Sequence, residues 1–176
     1  MGRGLVGIAF AVALAAFVQP AEAQNKQNNQ QIARGKYLVT LMGCTDCHTP
    51  GYFFGKPDKS RYLGGSDVGF AIPPGVFYGP NLTPDKDTGL GNWTDAQIIA
   101  AIKTGKRPDG RELVPVMPYP GFASLTDADA RAIVAYLRSI PPVKNKVPGP
   151  FGPNEKPTGF IMTIMPGAGM PQPDKK

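Results

Sequence analysis

Both cysteines and the only histidine of this chain fall within five positions, in Cys44-Thr45-Asp46-Cys47-His48. That grouping constrains the fold more than any other feature, because it gathers every thiol and the one imidazole of the chain into a single short stretch.

Four chemistries compete for it. A structural disulfide suits an exported protein, but a bridge across two residues closes too small a loop to restrain much of the unfolded chain. A thioredoxin-type redox pair needs a strand-to-helix setting, whereas the preceding residues 32–41 read as an amphipathic helix. Zinc would lack a closed ligand set with no other Cys or His available. The fourth is covalent haem attachment, in which both thiols bond the porphyrin periphery and the adjacent imidazole ligates the iron. Two cysteines three apart on one helical turn fit this fourth chemistry, which assigns Cys44 and Cys47 to attachment and His48 to the iron.

With one histidine, a bis-histidine haem is impossible without a partner, so the sixth ligand is another group or the site is open. Met42 is tied to the proximal side by its closeness to Cys44. Met117 stands among Pro115, Pro118 and Pro120, whose fixed φ angles stiffen the loop and lower the entropic cost of presenting a thioether. The sequence therefore points to Met117 as second iron ligand; its alternative role is that of a gap-filling core methionine.

The N-terminus reads as an export signal. Arg3 precedes an apolar and glycine run over residues 5–18, and Ala21-Glu22-Ala23 forms a small-x-small cleavage site. Such a run spans only about 21 Å as helix, short of the roughly 30 Å hydrocarbon core, so stable membrane insertion after cleavage is not expected. Cleavage after Ala23 would remove Arg3 and Glu22 together and leave the net charge at +6. A basic exported protein suits acidic partner surfaces. The absence of a dense Lys/Arg stripe or a stacking pattern argues against nucleic acid. Lys56, Lys59, Lys103 and Lys106 are candidates for steering an acidic partner.

Three helices are expected. The first covers residues 29–42. The second opens at Trp93-Thr94 with a Thr94/Gln97 capping box, an Ile98, Ile99, Ile102 stripe and a stop at Gly105. The third opens at Thr126-Asp127-Ala128-Asp129, which resembles a capping box with Asp in place of Glu and puts two acids in the first turn, buries Ala130, Ile133, Val134 and Leu137, and ends before Pro141-Pro142. Residues 49–92 carry Gly, Pro and aromatics without clear periodicity and read as a long loop that needs a large flat ligand to pack against. The 22 glycines and 20 prolines of the chain are in keeping with long ordered loops. Beyond residue 140 the proline density argues against regular helix or sheet. Yet Phe151, Phe160, Ile161, Met162, Ile164 and Met165 are too apolar for a solvated linker, so an extended strap is expected.

The order of helix, CTDCH, long loop, helix, methionine loop and terminal helix resembles the monohaem c-type cytochromes. Arg34-Gly35-Lys36-Tyr37-Leu38, Gly79-Pro80-Asn81-Leu82-Thr83-Pro84-Asp85 with Thr88-Gly89-Leu90-Gly91, Met117-Pro118-Tyr119 and Ala135-Tyr136-Leu137-Arg138 are similar to stretches of bacterial dehydrogenase-associated cytochrome c subunits. The resemblance covers residues 32–143. It implies an all-α cytochrome c fold, with three main helices around one covalently bound haem c (iron) and an extended tail. It also implies that Gly35 meets Tyr136 at a helix crossing, and that Asn81 and Trp93 lie near the haem, Trp93 as a donor to a propionate or as ordinary core packing. Related subunits often carry two or three attachment motifs; this chain has one.

The expected organisation is a signal at 1–23, a cytochrome c domain at 24–142 and a Pro-rich tail at 143–176, packed on the domain or a partner. The expected function is non-enzymatic: a periplasmic one-electron carrier between a dehydrogenase donor and an oxidase or other respiratory acceptor. Two rivals are a dedicated cytochrome subunit of a periplasmic dehydrogenase complex and an open-site haem sensor or enzyme.

Overall fold

The computed structural model describes residues 21–163. The apolar run at 5–18, and Ile164, Met165 and Met170, lie outside the described residues. No helix among those described is long and apolar enough to cross a membrane.

Among the described residues five α-helices carry the fold: α1 (Ala21–Leu41), α2 (Cys44–His48), α3 (Asp95–Thr104), α4 (Tyr119–Phe122) and α5 (Asp127–Ser139). The first helix starts earlier than residue 29. Residues 22–30 are exposed along its first turns, so no burial pattern announced them; the extension runs through good helix formers such as Ala23, Gln24 and Lys26. At α3 the Thr94 hydroxyl accepts from the Gln97 N–H while the Gln97 side chain accepts from the Thr94 N–H, and Gly105 closes the helix in a left-handed conformation (φ 72°). At α5 the Thr126 hydroxyl accepts from the Asp129 N–H at 3.1 Å. The Asp129 carboxylate is instead engaged by Arg34 Nε of α1 at 2.9 Å.

The core lies between α1, α3 and α5. Leu38 and Val39 of α1, Ile98 of α3, and Ile133, Val134 and Leu137 of α5 form one buried cluster with Leu63 and Leu90. Ile99 and Ile102 pack on its margin, only partly buried. At the α1–α5 crossing Gly35 is buried against the backbone of Ala132 and the Tyr136 side chain. Arg138 ties the end of α5 to the start of α3, donating to the Leu90 and Trp93 carbonyls and to Asp95.

The fold is not all-α. Strands β1 (Val68–Ile72), β2 (Gly75–Tyr78) and β3 (Phe160–Thr163) form a small sheet ordered β2-β1-β3. β1 and β2 make an antiparallel hairpin inside the stretch expected as loop, and β3 adds in parallel from the C-terminal segment. Regular sheet therefore does occur in the Pro-rich region, because residues 160–163 find an open strand edge at β1. The chain between α5 and β3 runs across the domain. Val143 donates its N–H to Thr83 Oγ1 at 3.0 Å, Asn145 donates its side-chain amide to the Gly64 carbonyl at 2.8 Å, and Phe151 exchanges backbone hydrogen bonds with Val76.

Candidate haem centre

α1 ends at Leu41, and the chain turns at Gly43 (φ 66°) directly into α2. α2 is a single helical segment from Cys44 to His48. This places both thiols and the imidazole on the wall of one large cavity of about 1060 Å³. Met117 lines the same cavity from the loop between α3 and α4, with Leu113, Val114 and Phe122. That loop is held by its own turns, with the Met117 N–H donating to the Val114 carbonyl at 3.1 Å and the Tyr119 N–H to the Met117 carbonyl at 2.7 Å. All four residues singled out in the sequence, Cys44, Cys47, His48 and Met117, therefore meet in one space. Met42 also lines it, packed against the core cluster.

His48 is buried, 6% exposed, and its Nδ1 lies 2.7 Å from the Pro80 carbonyl oxygen. A carbonyl only accepts, so Nδ1 carries the proton and Nε2 keeps its lone pair. Burial holds the imidazole pKa below the ordinary value, partly countered by the Pro80 contact, which favours the neutral ligand form. The Pro80 carbonyl can approach because residue 79 is glycine: a Cβ there would sit 1.7 Å from the Cys47 carbonyl oxygen and 3.3 Å from His48 Nδ1. A further backbone tie, Gly65 N–H to the His48 carbonyl at 2.8 Å, fixes the helix end.

Burial pushes the Cys44 thiol up to about 11, and it raises the Cys47 thiol as well, with a further push from Asp46. Both sulfurs thus favour the neutral S–H form. This donor set fits a haem c. It offers two neutral thiols one helical turn apart, a neutral imidazole with one nitrogen free, a thioether on the same cavity, and an apolar lining from Val39, Phe70, Leu82, Ile98 and Leu137. The cavity is also of the size that a large cofactor needs. Asn81 and Trp93 line it, Asn81 fully buried with its side chain bonded to Thr83, Thr88 and Val143.

Three contributors were not foreseen from sequence. The Pro80 carbonyl has no side-chain signature. Arg107 and Arg111 line the cavity from the turn after α3, and residues 146–150 line it from the C-terminal segment. Of the four lysines considered for steering, Lys56, Lys59 and Lys106 are exposed, whereas Lys103 is paired with Asp127 at 3.4 Å.

Comparison with known proteins agrees with this geometry. The family model described as Cytochrome c matches residues 32–141. The cytochrome c subunit of alcohol dehydrogenase (quinone) from Gluconobacter oxydans (strain 621H) is 37% identical over 144 residues, 80% of this chain and 28% of that protein. The fructose dehydrogenase cytochrome subunit of Gluconobacter japonicus is 36% identical, over 76% of this chain and 27% of that protein. The gluconate 2-dehydrogenase cytochrome c subunit of Pantoea cypripedii is 35% identical, over 70% of this chain and 26% of that protein. The chain thus spans little more than a quarter of these relatives. A Cys-x-x-Cys-His helix walling an apolar cavity, a family match from α1 to the end of α5, and relatives that are dehydrogenase cytochrome subunits lead to one statement: the chain belongs to the cytochrome c family.

Proposed function

We propose that this chain is a one-electron carrier with a single haem c, attached through Cys44 and Cys47 and ligated by His48 and Met117. On this reading it is exported to the periplasm after loss of residues 1–23 and passes electrons from a dehydrogenase to a respiratory acceptor. The observation that carries it is the convergence of His48, its tautomer fixed by Pro80, and Met117 on the same cavity wall system. When bound, the haem supplies a reversible ferric/ferrous couple; a thioether ligand favours the ferrous state compared with a second imidazole. The chain's own part is to hold the two ligands and exclude water. His48 is locked by Pro80 and Gly65, Met117 is braced by its turns, and the apolar lining disfavours the additional charge of the ferric state. Were His48 and Met117 both to hold the iron, substrates would find no open site at the metal, which supports transfer over catalysis.

Domain organisation follows the same reading: a cytochrome c domain at 24–142, with 143–176 as a tail that straps the domain or a partner. An acidic docking surface on the partner suits the net charge of +6 and a small transient interface.

The ligation is tested on the purified oxidised protein. A weak far-red absorption of the ferric iron–thioether bond is expected in the native protein and lost in Met117→Leu. Its absence from the native protein would remove the carrier reading in favour of an open site.

A second reading has its own support. The relatives are named as subunits of alcohol, fructose and gluconate dehydrogenases, so this chain can serve as the dedicated cytochrome of such an enzyme. Size-exclusion of a native periplasmic extract separates the two: haem eluting near the mass of the free chain supports the shuttle, and haem eluting with a larger dehydrogenase supports the subunit.

A further inference from the structure

β3 stands on the outer edge of the sheet, with no strand paired beyond it among the described residues. Its four residues are all exposed, Phe160 to 66%, Ile161 to 48% and Met162 to 40%. Edge strands are usually guarded by lysine, proline, a bulge or a covering loop. Residues 160–163 carry no charge and no proline. The strand is fixed from its inner side by the register with β1, Val68 opposite Phe160 through Ala71 opposite Thr163. Phe54 adds a second hold, its ring meeting the Phe160 ring edge-on at 5.0 Å. The outer edge thus offers a row of backbone donors and acceptors, with Phe160 and Met162 on one face and Ile161 on the other.

The ground around this edge is basic. Lys56 and Lys59, in the loop of Phe54, and Lys156, on the approach to β3, are exposed. None of the ion pairs among the described residues includes them. The acids of the same two loops are engaged locally: Asp58 accepts from Arg61 Nε at 2.8 Å, and Glu155 accepts from the Gly152 N–H.

We infer that the outer edge of β3 receives an extended segment of the redox partner, alternating apolar and acidic side chains, as a fourth strand of the sheet. That this partner exchanges electrons rests on the reading of the chain as a carrier; the strand addition itself does not. Main-chain hydrogen bonds to β3 supply affinity, and carboxylates facing the three lysines supply orientation. The added strand would lie about two strand spacings, roughly 10 Å, from β1, whose Phe70 lines the cavity. Three other occupants fit less well. A second copy would bring the same lysines against these. A bilayer offers the outer backbone groups no hydrogen-bond partner in its hydrocarbon region. Residues 164–176 contain Pro166, Pro171, Pro173, Lys175 and Lys176, a composition unsuited to a ladder on a basic rim.

The test titrates the isotope-labelled, haem-loaded full chain with an octapeptide of alternating valine and glutamate, followed by amide NMR at low ionic strength. Shifts centred on residues 160–163 are expected. Binding should weaken about fivefold in Phe160→Ser, which removes a largely exposed aromatic ring. It should weaken about as much in Lys56→Glu/Lys156→Glu, which reverses two exposed charges. That double variant should in turn prefer the valine–lysine counterpart. Met162→Lys sets a charge on the edge without touching the Phe54–Phe160 contact and should also weaken binding, so the result does not hang on one variant folding. No binding, shifts confined to other residues, or equal affinity for the acidic and basic peptides would overturn the inference. So would binding to phosphatidylglycerol vesicles in place of the peptide, or sedimentation of the native chain as a dimer that Met162→Lys dissociates. A missing Met117 far-red band is a separate result: it removes the carrier reading and leaves the strand addition standing.

Discussion

Replacing Gly35 by alanine should destabilise the protein, although the same change on an exposed helix face would stabilise it. Gly35 faces α5 at the tightest point of the crossing. A Cβ there would lie 1.9 Å from the Ala132 carbonyl oxygen, 2.6 Å from its carbon and 2.8 Å from Tyr136 Cβ. Ordinary contact begins near 3.4 Å, so α1 and α5 must separate by about 1.5 Å, a gap large enough to forfeit much of the dispersion between facing atoms. The obstacle is helix backbone and cannot swing aside as a side-chain end would. Overpacking of this kind costs about 1–3 kcal/mol when side chains can adjust, so the upper part of that range applies here. Against it stands the helix propensity of alanine over glycine, worth about 1 kcal/mol. The net loss is about 2 kcal/mol, or a fall in Tm of about 4–8 °C for a domain of this size. Guanidinium unfolding of the haem-loaded protein, followed by far-UV circular dichroism, reads it directly. Ala33→Gly, at an exposed position of the same helix, calibrates the propensity term alone. A Gly35→Ala protein as stable as native, or more so, would refute the close-packing argument.

Two further substitutions probe the supports of the site. Asn81→Leu removes the amide that donates to the Val143 carbonyl at 2.7 Å and accepts from the Thr83 N–H at 2.9 Å. Leaving these buried groups unpaired should cost about 2–4 kcal/mol and should expose the chain beyond residue 142 to limited proteolysis; native-like resistance would mean the strap is held elsewhere. Gly79→Ala puts a methyl group onto the Cys47 carbonyl and pushes the Pro80 carbonyl away from His48. The yield of haem-loaded protein should fall. The fraction that folds should titrate at a higher potential, since an imidazole without its acceptor is a poorer donor to ferric iron; a native potential and yield would count against that role for Pro80.

What could be read from the sequence was what depends on neighbours along the chain. The attachment helix, the Thr94/Gln97 box, the Thr126 cap and the stiffened Met117 loop are all set by residues within about five positions of one another, and each appears in the fold. The hairpin was hidden because Gly69 and Gly75 interrupt its apolar alternation and Pro73-Pro74 fills its turn, so residues 68–78 resembled loop. β3 was hidden for a different reason. Its strand character comes from pairing with β1 some ninety residues earlier in the chain, and four exposed residues carry no burial pattern of their own. The early start of α1 is likewise invisible to a method that looks for an apolar face. At the site, side chains defined by motif were legible, whereas the Pro80 carbonyl acquires meaning only when the chain folds it against His48.

The same contrast explains why so much irregular chain is kept in order. The buried aliphatic cluster of α1, α3 and α5 forms only part of the cavity wall; the rest comes from residues 70–90, the Met117 loop and residues 144–150. The space they surround is about 1060 Å³, and the apolar side chains on its wall gain dispersion contacts only when something fills it. On the proposed reading a haem would fill this space, and Cys44, Cys47, His48 and Met117 on its wall would register the loops to it. Electron transfer asks for little movement between redox states, and on the proposed reading an interior built around the redox group would supply that rigidity without a long run of regular structure. The burial that keeps His48 neutral and an apolar lining that on the proposed reading would make the ferric charge costly are two consequences of one arrangement.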